Sequence, residues 1–247
     1  MPLPIPYQLK RFLRICDGRF SWRTERVQIR EHSLRFYETF WWANASQPIF
    51  DDEIVPYFDV LTEDENPFSP FLIVDAGAAS GHFAVAAASL FSQAKIVAFE
   101  PSLRQRILLR RNAARNGVEA VQIEPFGLWN RSDTLPFRTN GAESSFASVS
   151  RFDGRLPFPE HVPVLALDQW VAKSQISRLD LIKADIEGAE IHMLEGAVNT
   201  LDRFHPRLLL QAYHMVDGTR TFERCAHLLE NFGYTISEPH PGLLYGV

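Results

Sequence analysis

Three short segments hold the residues that could do chemistry. Asp75-Ala-Gly77-Ala78-Ala-Ser-Gly81 puts a carboxylate two residues ahead of a glycine turn, and Ala98-Phe-Glu100-Pro101 carries a second carboxylate. Lys183-Ala-Asp185-Ile-Glu187-Gly-Ala-Glu190 crowds one ammonium and three carboxylates into eight residues. Ionisable groups packed that closely are costly unless they pair or are used. A glycine turn that opens a helix aims backbone N–H groups at a ligand. Gly77 and Gly81 also permit a backbone conformation and a close approach that a Cβ would block. A dinucleotide site wants Gly-x-Gly-x-x-Gly, with the pyrophosphate against the middle glycine. Here that glycine is missing, and Asp75 would repel a pyrophosphate but attract a cation. S-adenosyl-L-methionine carries a sulfonium and an ammonium and no phosphate, and Glu100 can accept hydrogen bonds from both hydroxyls of its ribose. Asp75, Gly77, Ala78, Gly81, Glu100 and Pro101 are therefore the cofactor-binding candidates. Taken singly, Asp75 also reads as a helix cap and Glu100 as a solvent-facing cap before Pro101.

Such residues need a sheet to hold them. Phe71 to Val74 is an apolar run too short for a helix, which suits a buried strand with Asp75 at its carboxyl end. Phe83, Ala87 and Leu90 then share a helix face. Lys95 to Glu100 reads as a second strand, Pro101 as the first turn of a helix, and Asn116-Gly117 as its stop. Val121 to Glu124 follows as a third strand, and Leu128 to Phe158 as hairpins or loops. Pro163 to Val171 leads into a core strand over Leu179 to Ala184. One helix then turns Ile191, Leu194, Val198 and Leu201 inward and ends at His205-Pro206. Arg207 to Gln211 is a fifth strand, Phe222, Cys225, Ala226, Leu229 and Phe232 trace a helix, and Tyr234 to Ser237 pairs with Leu243 to Val247. The alternation predicts an α/β, doubly wound sheet with parallel central strands over residues 71–247.

Residues 1–70 read as an N-terminal extension. It starts with a proline-punctuated arm to Pro6, followed by a short amphipathic piece, Leu9 to Ile15. Val27 to Arg30 and Leu34 to Tyr37 alternate like a hairpin around Glu31-His32-Ser33. Phe40, Trp41 and Trp42 form an aromatic patch, Ile54, Tyr57, Phe58 and Leu61 fall at helical spacing, and Asn66 to Pro70 is a linker. The extension and the Leu128 to Phe158 stretch are expected to cover the acceptor side, because loops at the carboxyl edge of such sheets vary most.

With 247 residues, 46% of them hydrophobic, the chain can bury a full α/β core. A net charge of -5 gives no pull toward nucleic acid. Arg104, Arg106, Arg110, Arg111 and Arg115 lack interleaved aromatics and read as a solvated helix face. Cys16 and Cys225 are too far apart for a zinc or redox motif and read as reduced thiols. No apolar run approaches the ~20 residues of a membrane span, and no leader pattern is visible, so a cytoplasmic protein is expected.

Val74 to Gly81, Ala98 to Pro101, Ile182 to Glu190 and Leu194-Glu-Gly-Ala197 resemble the hallmark segments of the FkbM family of S-adenosylmethionine-dependent methyltransferases. The resemblance covers about residues 71 to 214, and Lys-x-Asp-x-Glu-Gly-x-Glu is its most distinctive part. It implies a class I methyltransferase (Rossmann-like) fold, with a seven-stranded sheet whose last strand is antiparallel. It also implies methyl transfer, usually to a hydroxyl of a sugar, glycan or polyketide-like acceptor. One position departs from the family, which commonly has a glutamate a few residues before a histidine where this chain has Gln211 and His214. Transfer to an alcohol needs in-line placement and a base. His214 has the better unperturbed pKa and Asp185 the better place on its strand. Glu187, with Glu190, is expected to orient Lys183 or hold a sugar hydroxyl. The catalytic candidates are Asp185, His214 and Glu187. Oxygen ligands near Asp185 would suit magnesium, but no dedicated ligand set stands in the sequence and no metal site is assigned. A nucleotide-cofactor oxidoreductase and a methyltransferase-like binding module without turnover stay open as alternatives. Expected partners are a small-molecule or glycan acceptor, with no nucleic acid and no membrane span.

Overall fold

The structure of the chain, a computed structural model, describes residues 24–37, 47–62, 68–138, 145–146, 160–216 and 218–247. The proline arm, the Leu9 to Ile15 piece, Cys16, the Phe40 to Trp42 patch, Asn66 and Pro67 of the linker, and residues 139–144 and 147–158 of the Leu128 to Phe158 stretch lie outside the described residues.

An antiparallel hairpin, β1 (Thr24–Ile29) and β2 (His32–Tyr37), precedes two short helices, α1 (Gln47–Glu53) and α2 (Val55–Thr62). The main sheet begins with β3 (Leu72–Ala76), α3 (His82–Leu90), β4 (Lys95–Phe99), α4 (Leu103–Arg115) and β5 (Val121–Glu124). A small sheet follows, made of β6 (Gly127–Leu128), β7 (Asp133–Arg138), β8 (Ser145–Phe146) and β9 (Glu160–Leu165). The chain returns through α5 (Leu167–Ser174), β10 (Leu181–Ala184), α6 (Glu190–Glu195), α7 (Val198–Phe204) and β11 (Arg207–Gln211). A minimal hairpin, β12 (Met215–Val216) and β13 (Thr219–Arg220), leads to α8 (Thr221–Glu230), β14 (Ile236–His240) and β15 (Leu243–Gly246).

The seven main strands run in the order β14-β15-β11-β10-β3-β4-β5. Pairing is parallel from β11 through β5, and β15 is antiparallel to both of its neighbours, β11 and β14. This is the doubly wound sheet expected from the alternation, with its last strand reversed. From β3 the chain winds one way through β4 and β5, and from β10 the other way through β11. The switch point, where such sheets bind ligands, therefore lies between the carboxyl ends of β3 and β10. Both faces are covered. Ile73, Ile96 and Ala98 pack with α2, α3 and the hairpin, while Val74, Ala76 and Ile182 pack with α5 through α8.

Asp75 stands at the carboxyl end of β3 as expected, one residue before its last, and the register pairs it with Lys183 on β10. Several expectations need correction, each for a physical reason. Pro101 precedes helix α4 instead of opening it; Ser102 is the cap and its hydroxyl accepts from Gln105 N. The inward-facing helix expected from Ile191 to Leu201 is two helices, α6 and α7. At Gly196, between them, a Cβ would stand 2.1 Å from the Trp129 carbonyl oxygen, and Val198 is 41% exposed. Leu167 to Ser174 is a helix, not a run into the next strand. Asp168 in its first turn caps α7 by accepting from the backbone N–H groups of Asn199 and Thr200 at 3.0 and 2.8 Å.

The β1–β2 hairpin turns at Arg30 and Glu31, one residue earlier than the sequence suggests, and buries Val27, Ile29, Leu34 and Phe36. Asn112 of α4 and Asn116, which caps its end, fasten it. Their side-chain oxygens accept from Tyr37 N and Arg35 N, both at 2.8 Å, so the hairpin shares the core of α3. Arg106 departs from the solvated-face reading by turning back onto the start of its own helix. Among the described residues no helix is long and apolar enough to cross a membrane.

Candidate functional site

The glycine turn is tied to β4 by two hydrogen bonds, from Gly77 N and Ala78 N to Phe99 O at 3.0 and 3.1 Å. Gly77 has φ +73, and a Cβ there would stand 2.1 Å from Asp185 O, so only glycine lets the turn close against the end of β10. Ala79 also takes a left-handed backbone, φ 46, which aims its N–H at Glu100 Oε2 at 2.8 Å. Ser102 N donates to the other oxygen, Oε1, at 2.7 Å. Glu100 is thus held between the turn and the start of α4, 4% exposed. Burial pushes its pKa up to about 7, against the pull of these two N–H groups and of Arg106. The Arg106 guanidinium is spent on the carbonyl oxygens of Glu100 and Pro101, at 2.8 and 2.6 Å. Each carboxylate oxygen keeps a further lone pair for a donor.

Gly77, Ala79, Glu100, Pro101 and Asp185 line one cleft, walled on its far side by Leu128, Phe137 and Phe146 of the small sheet. Two acids and no lysine or arginine are among its described lining residues. The space between the walls is narrow, about 40 Å³. A roomier groove of about 580 Å³ opens at the opposite, amino-terminal edge of the strands beside Phe71, Lys95 and Arg178, and it holds none of the candidate residues.

Asp75 lies beneath the turn and does not line the cleft. It is fully buried, with Lys183 Nζ 3.2 Å from Oδ1 and no hydrogen-bond partner for Oδ2 among the described residues. Burial raises its pKa, Lys183 opposes the rise, and Asp185 adds to it. The ammonium sits 5.6 Å from the ring centroids of both Tyr57 and Phe83. Lys183 is therefore partnered by Asp75, and the expected orienting role of Glu187 or Glu190 toward it is not what the geometry gives. Ala78 is buried in the core, and Gly81 packs on Leu109, where a Cβ would lie 2.8 Å from Cγ. The structure thus brings Gly77, Glu100 and Pro101 to the cleft and leaves Asp75, Ala78 and Gly81 behind it.

A second cluster adjoins Asp185. Asp185 N donates to Ala76 O at 3.1 Å, which sets the carboxyl end of β10 beside that of β3. Beyond it Glu187, φ 56, and Gly188, φ 99, make a left-handed turn. Glu187 Oε2 lies 3.1 Å from His214 Nε2, and Glu190 Oε1 lies 3.7 Å from His214 Nδ1. Burial alone would push His214 down. The Glu187 hydrogen bond and the charges of Glu190, Glu187 and Asp185 outweigh it and raise the pKa. Asp185 is raised by burial and by Glu187, against Lys183 and His214. Burial pushes Glu190 up to about 7. Among the described residues no group of three or more histidine, cysteine, aspartate or glutamate side chains is placed to hold a metal ion.

Residues 75–236 match the family described as methyltransferase FkbM domain, well over half of the chain. The chain belongs to that family. The FkbM match takes in the glycine turn, Glu100, the acidic cluster and His214, and leaves out the hairpin, α1 and α2. Methyltransferase sdnD of Sordaria araneosa is 31% identical over 176 residues, covering 56% of this chain and 63% of that protein, so the chain spans less than two thirds of that relative's length. Methyltransferase 1 of Beauveria bassiana is 27% identical over 188 residues, 68% of this chain and 74% of that protein. The crystal structure of methyltransferase FkbM from Methylobacillus flagellatus KT superposes with a TM-score of 0.51 at 20% identity, over 72% of this chain and 44% of that one. The seven-stranded sheet is the class I methyltransferase fold.

Sequence reasoning missed part of this cleft. Ala79 stood in plain view in the turn, and its left-handed backbone is what delivers an N–H to Glu100. Phe137 and Phe146 reach the cleft from a sheet whose pairing has no local signature. Glu53 and Tyr57, from the extension, are raised chiefly by burial and then by the charge of Asp185, so α1 and α2 face the acidic cluster. No sequence pattern links them to it.

Proposed function

We propose that this FkbM-family chain is an S-adenosylmethionine-dependent O-methyltransferase that acts on a hydroxyl of a sugar, glycan or polyketide-like small molecule. The observation that carries the reading is one cleft, at the switch point of the sheet, shared by the buried acceptor Glu100 and the candidate base Asp185. Its donor set fits the cofactor. Glu100 has lone pairs left over from Ala79 and Ser102 for a ribose diol, the acids suit a cation, and no lysine or arginine is among the cleft's described lining residues to meet a pyrophosphate. Phe137 and Phe146 offer an aromatic wall for a nucleobase, and they must swing outward to admit one into so narrow a space.

When bound, the cofactor supplies a methyl group on an electron-poor sulfur. The chain's own residues place the acceptor and take its proton. With Glu100 given to the ribose, Asp185 is the carboxylate left among the cleft's described lining residues to receive that proton, and its raised pKa brings it toward the working range of a general base. Glu187 and His214 lie beside it as a hydrogen-bonded pair that can hold neighbouring acceptor hydroxyls. Asp75 and Lys183 keep the ends of β3 and β10 in register underneath. Glu53 and Tyr57 give residues 1–70 a part in bounding the acceptor side of the 71–247 domain. The excess of acid around Asp185 disfavours a phosphodiester acceptor.

Calorimetric titration with S-adenosylhomocysteine and with NAD tests the cofactor. Stoichiometric binding of the former is expected, and binding of NAD alone would end the reading. Transfer of a labelled methyl group to a panel of glycans and hydroxylated small molecules tests the reaction. Cofactor binding with no transfer to any of them would point to a binding module instead.

A further inference from the structure

We propose that Glu190 is a positioning residue for this transfer: one buried carboxylate that pins the left-handed turn presenting Glu187 and also faces the second ring nitrogen of His214. Its consequence for turnover rests on the reading above, but its structural core does not.

A non-glycine residue in a left-handed conformation costs about 1 kcal/mol or more and persists only where its surroundings over-determine it. Glu187 is such a residue, φ 56. What brackets it is Glu190 Oε1, which accepts from Ile186 N at 3.4 Å and from Gly188 N at 3.2 Å, one residue to either side. The turn held this way delivers Glu187 Oε2 to His214 Nε2 at 3.1 Å. The same Glu190 oxygen lies 3.7 Å from His214 Nδ1. That is just beyond hydrogen-bond range, and Nδ1 has no hydrogen-bond partner among the described residues. A protonated Nδ1 would close the gap as a charge-assisted bond.

A carboxylate in the first turn of a helix is ordinarily explained by the free N–H groups and dipole of that helix. Glu190 opens α6, yet its side chain reaches back to amides that precede the helix, and its second oxygen, Oε2, is buried without a hydrogen-bond partner among the described residues. The surroundings of the imidazole are supplied by four elements. Glu187 comes from the turn, Glu190 from α6 and Asp185 from the end of β10, while the Tyr213 ring lies alongside at 4.1 Å. From α8, Thr221 N donates to His214 O at 2.8 Å, and the Cys225 thiol, pushed up chiefly by burial, also feels Glu190. The ring therefore has a carboxylate at each nitrogen, and replacing Glu190 by its amide changes the proton affinity of the ring while keeping an oxygen for Ile186 N at the edge of the cleft.

The test is a nuclear magnetic resonance titration of the His214 ring in the full chain carrying labelled histidine, compared with Glu190→Gln and Glu190→Ala. Gln keeps an oxygen for the two amides and loses the charge. The expected result is an unchanged melting temperature and S-adenosylhomocysteine affinity, a His214 midpoint lowered by about one pH unit, or tenfold in proton affinity, and a loss in kcat larger than the change in KM. Ala should also free the turn and broaden the Glu187 and Gly188 amide signals. Should neither variant fold, the wild-type chain answers by itself, since the proposal requires the Ile186 and Gly188 amides, held by Glu190, to be protected from hydrogen exchange. Two results would overturn it: a His214 titration in the Gln variant matching wild type, or wild-type Ile186 and Gly188 amides that exchange as freely as exposed ones. A chain that binds no S-adenosylhomocysteine yet shows the expected His214 shift would sink the methyl-transfer reading and leave this linkage standing.

Discussion

The two sides of the cleft hold their carboxylates by opposite means. Glu100 is gripped by main chain, one oxygen by Ala79 N and the other by Ser102 N, both amides placed by turns that neighbour β4. Across the cleft, Asp185 and Glu187 face other side chains, with His214 arriving from beyond β11 and Tyr57 from the extension, and only Glu190 behind them is tied to main chain. Backbone partners are fixed by local geometry and cannot be titrated away. Side-chain partners shift one another's proton affinities, which is useful where a proton has to move. The difference suggests a division of labour, with a rigid site for a constant cofactor and an adjustable one for the acceptor.

Asp185→Asn should break that division most visibly. Turnover is expected to fall by about 10²- to 10⁴-fold while S-adenosylhomocysteine affinity changes by less than about threefold. If calorimetry showed affinity falling in step with turnover, the two sides would not be separable. Gly77→Ala strikes the residue they share, because its Cβ would stand 2.1 Å from Asp185 O in a left-handed backbone that is costly for alanine. A loss of about 1–3 kcal/mol in denaturant melts, together with weakened cofactor binding, is expected. A variant as stable as wild type would mean the turn relaxes freely.

How much of this could be read beforehand follows the same line. The glycine turn, the acid after β4 and the Lys-x-Asp-x-Glu-Gly-x-Glu segment were legible because residue type and spacing within each short segment mark them, and the sheet was legible from the apolar periodicities that build it. What escaped depends on contacts distant in sequence. Asp75 lies beneath the turn against Lys183 of another strand and does not line the cleft. The helix after β10 breaks at Gly196 because Trp129 packs against it. Asp168-Gln-Trp-Val reads as an extended approach to a strand, yet it is helical, with Asp168 committed to capping α7.

A pH series sharpens the contrast more gently. Burial raises Glu100 from the ordinary 4.5 to about 7 in the free protein, while its ribose-binding form is the carboxylate. Affinity for S-adenosylhomocysteine should therefore rise about tenfold between pH 6 and 8. With a folded pKa above the unfolded one, Glu100 binds more protons in the folded state, so its contribution to stability falls as pH rises from about 4.5 through about 7. Thermal melts of the free Glu100→Gln variant should show a flatter pH dependence over that window, and an unaltered slope would place the titration elsewhere. Asn116→Ala should have the smallest effect. It removes two hydrogen bonds to Arg35 of the hairpin and should cost about 1–2 kcal/mol in stability with cofactor affinity intact. A loss of affinity would show that the hairpin reaches the cleft's function.

The most direct measurement is calorimetric titration of Glu100→Gln beside the wild type with S-adenosylhomocysteine at pH 8. One molecule should bind per wild-type chain, and the variant, left with a single acceptor oxygen for two backbone amides, should bind at least about tenfold more weakly. Equal affinities, or no binding by the wild type, would contradict the claim that this buried glutamate holds the cofactor.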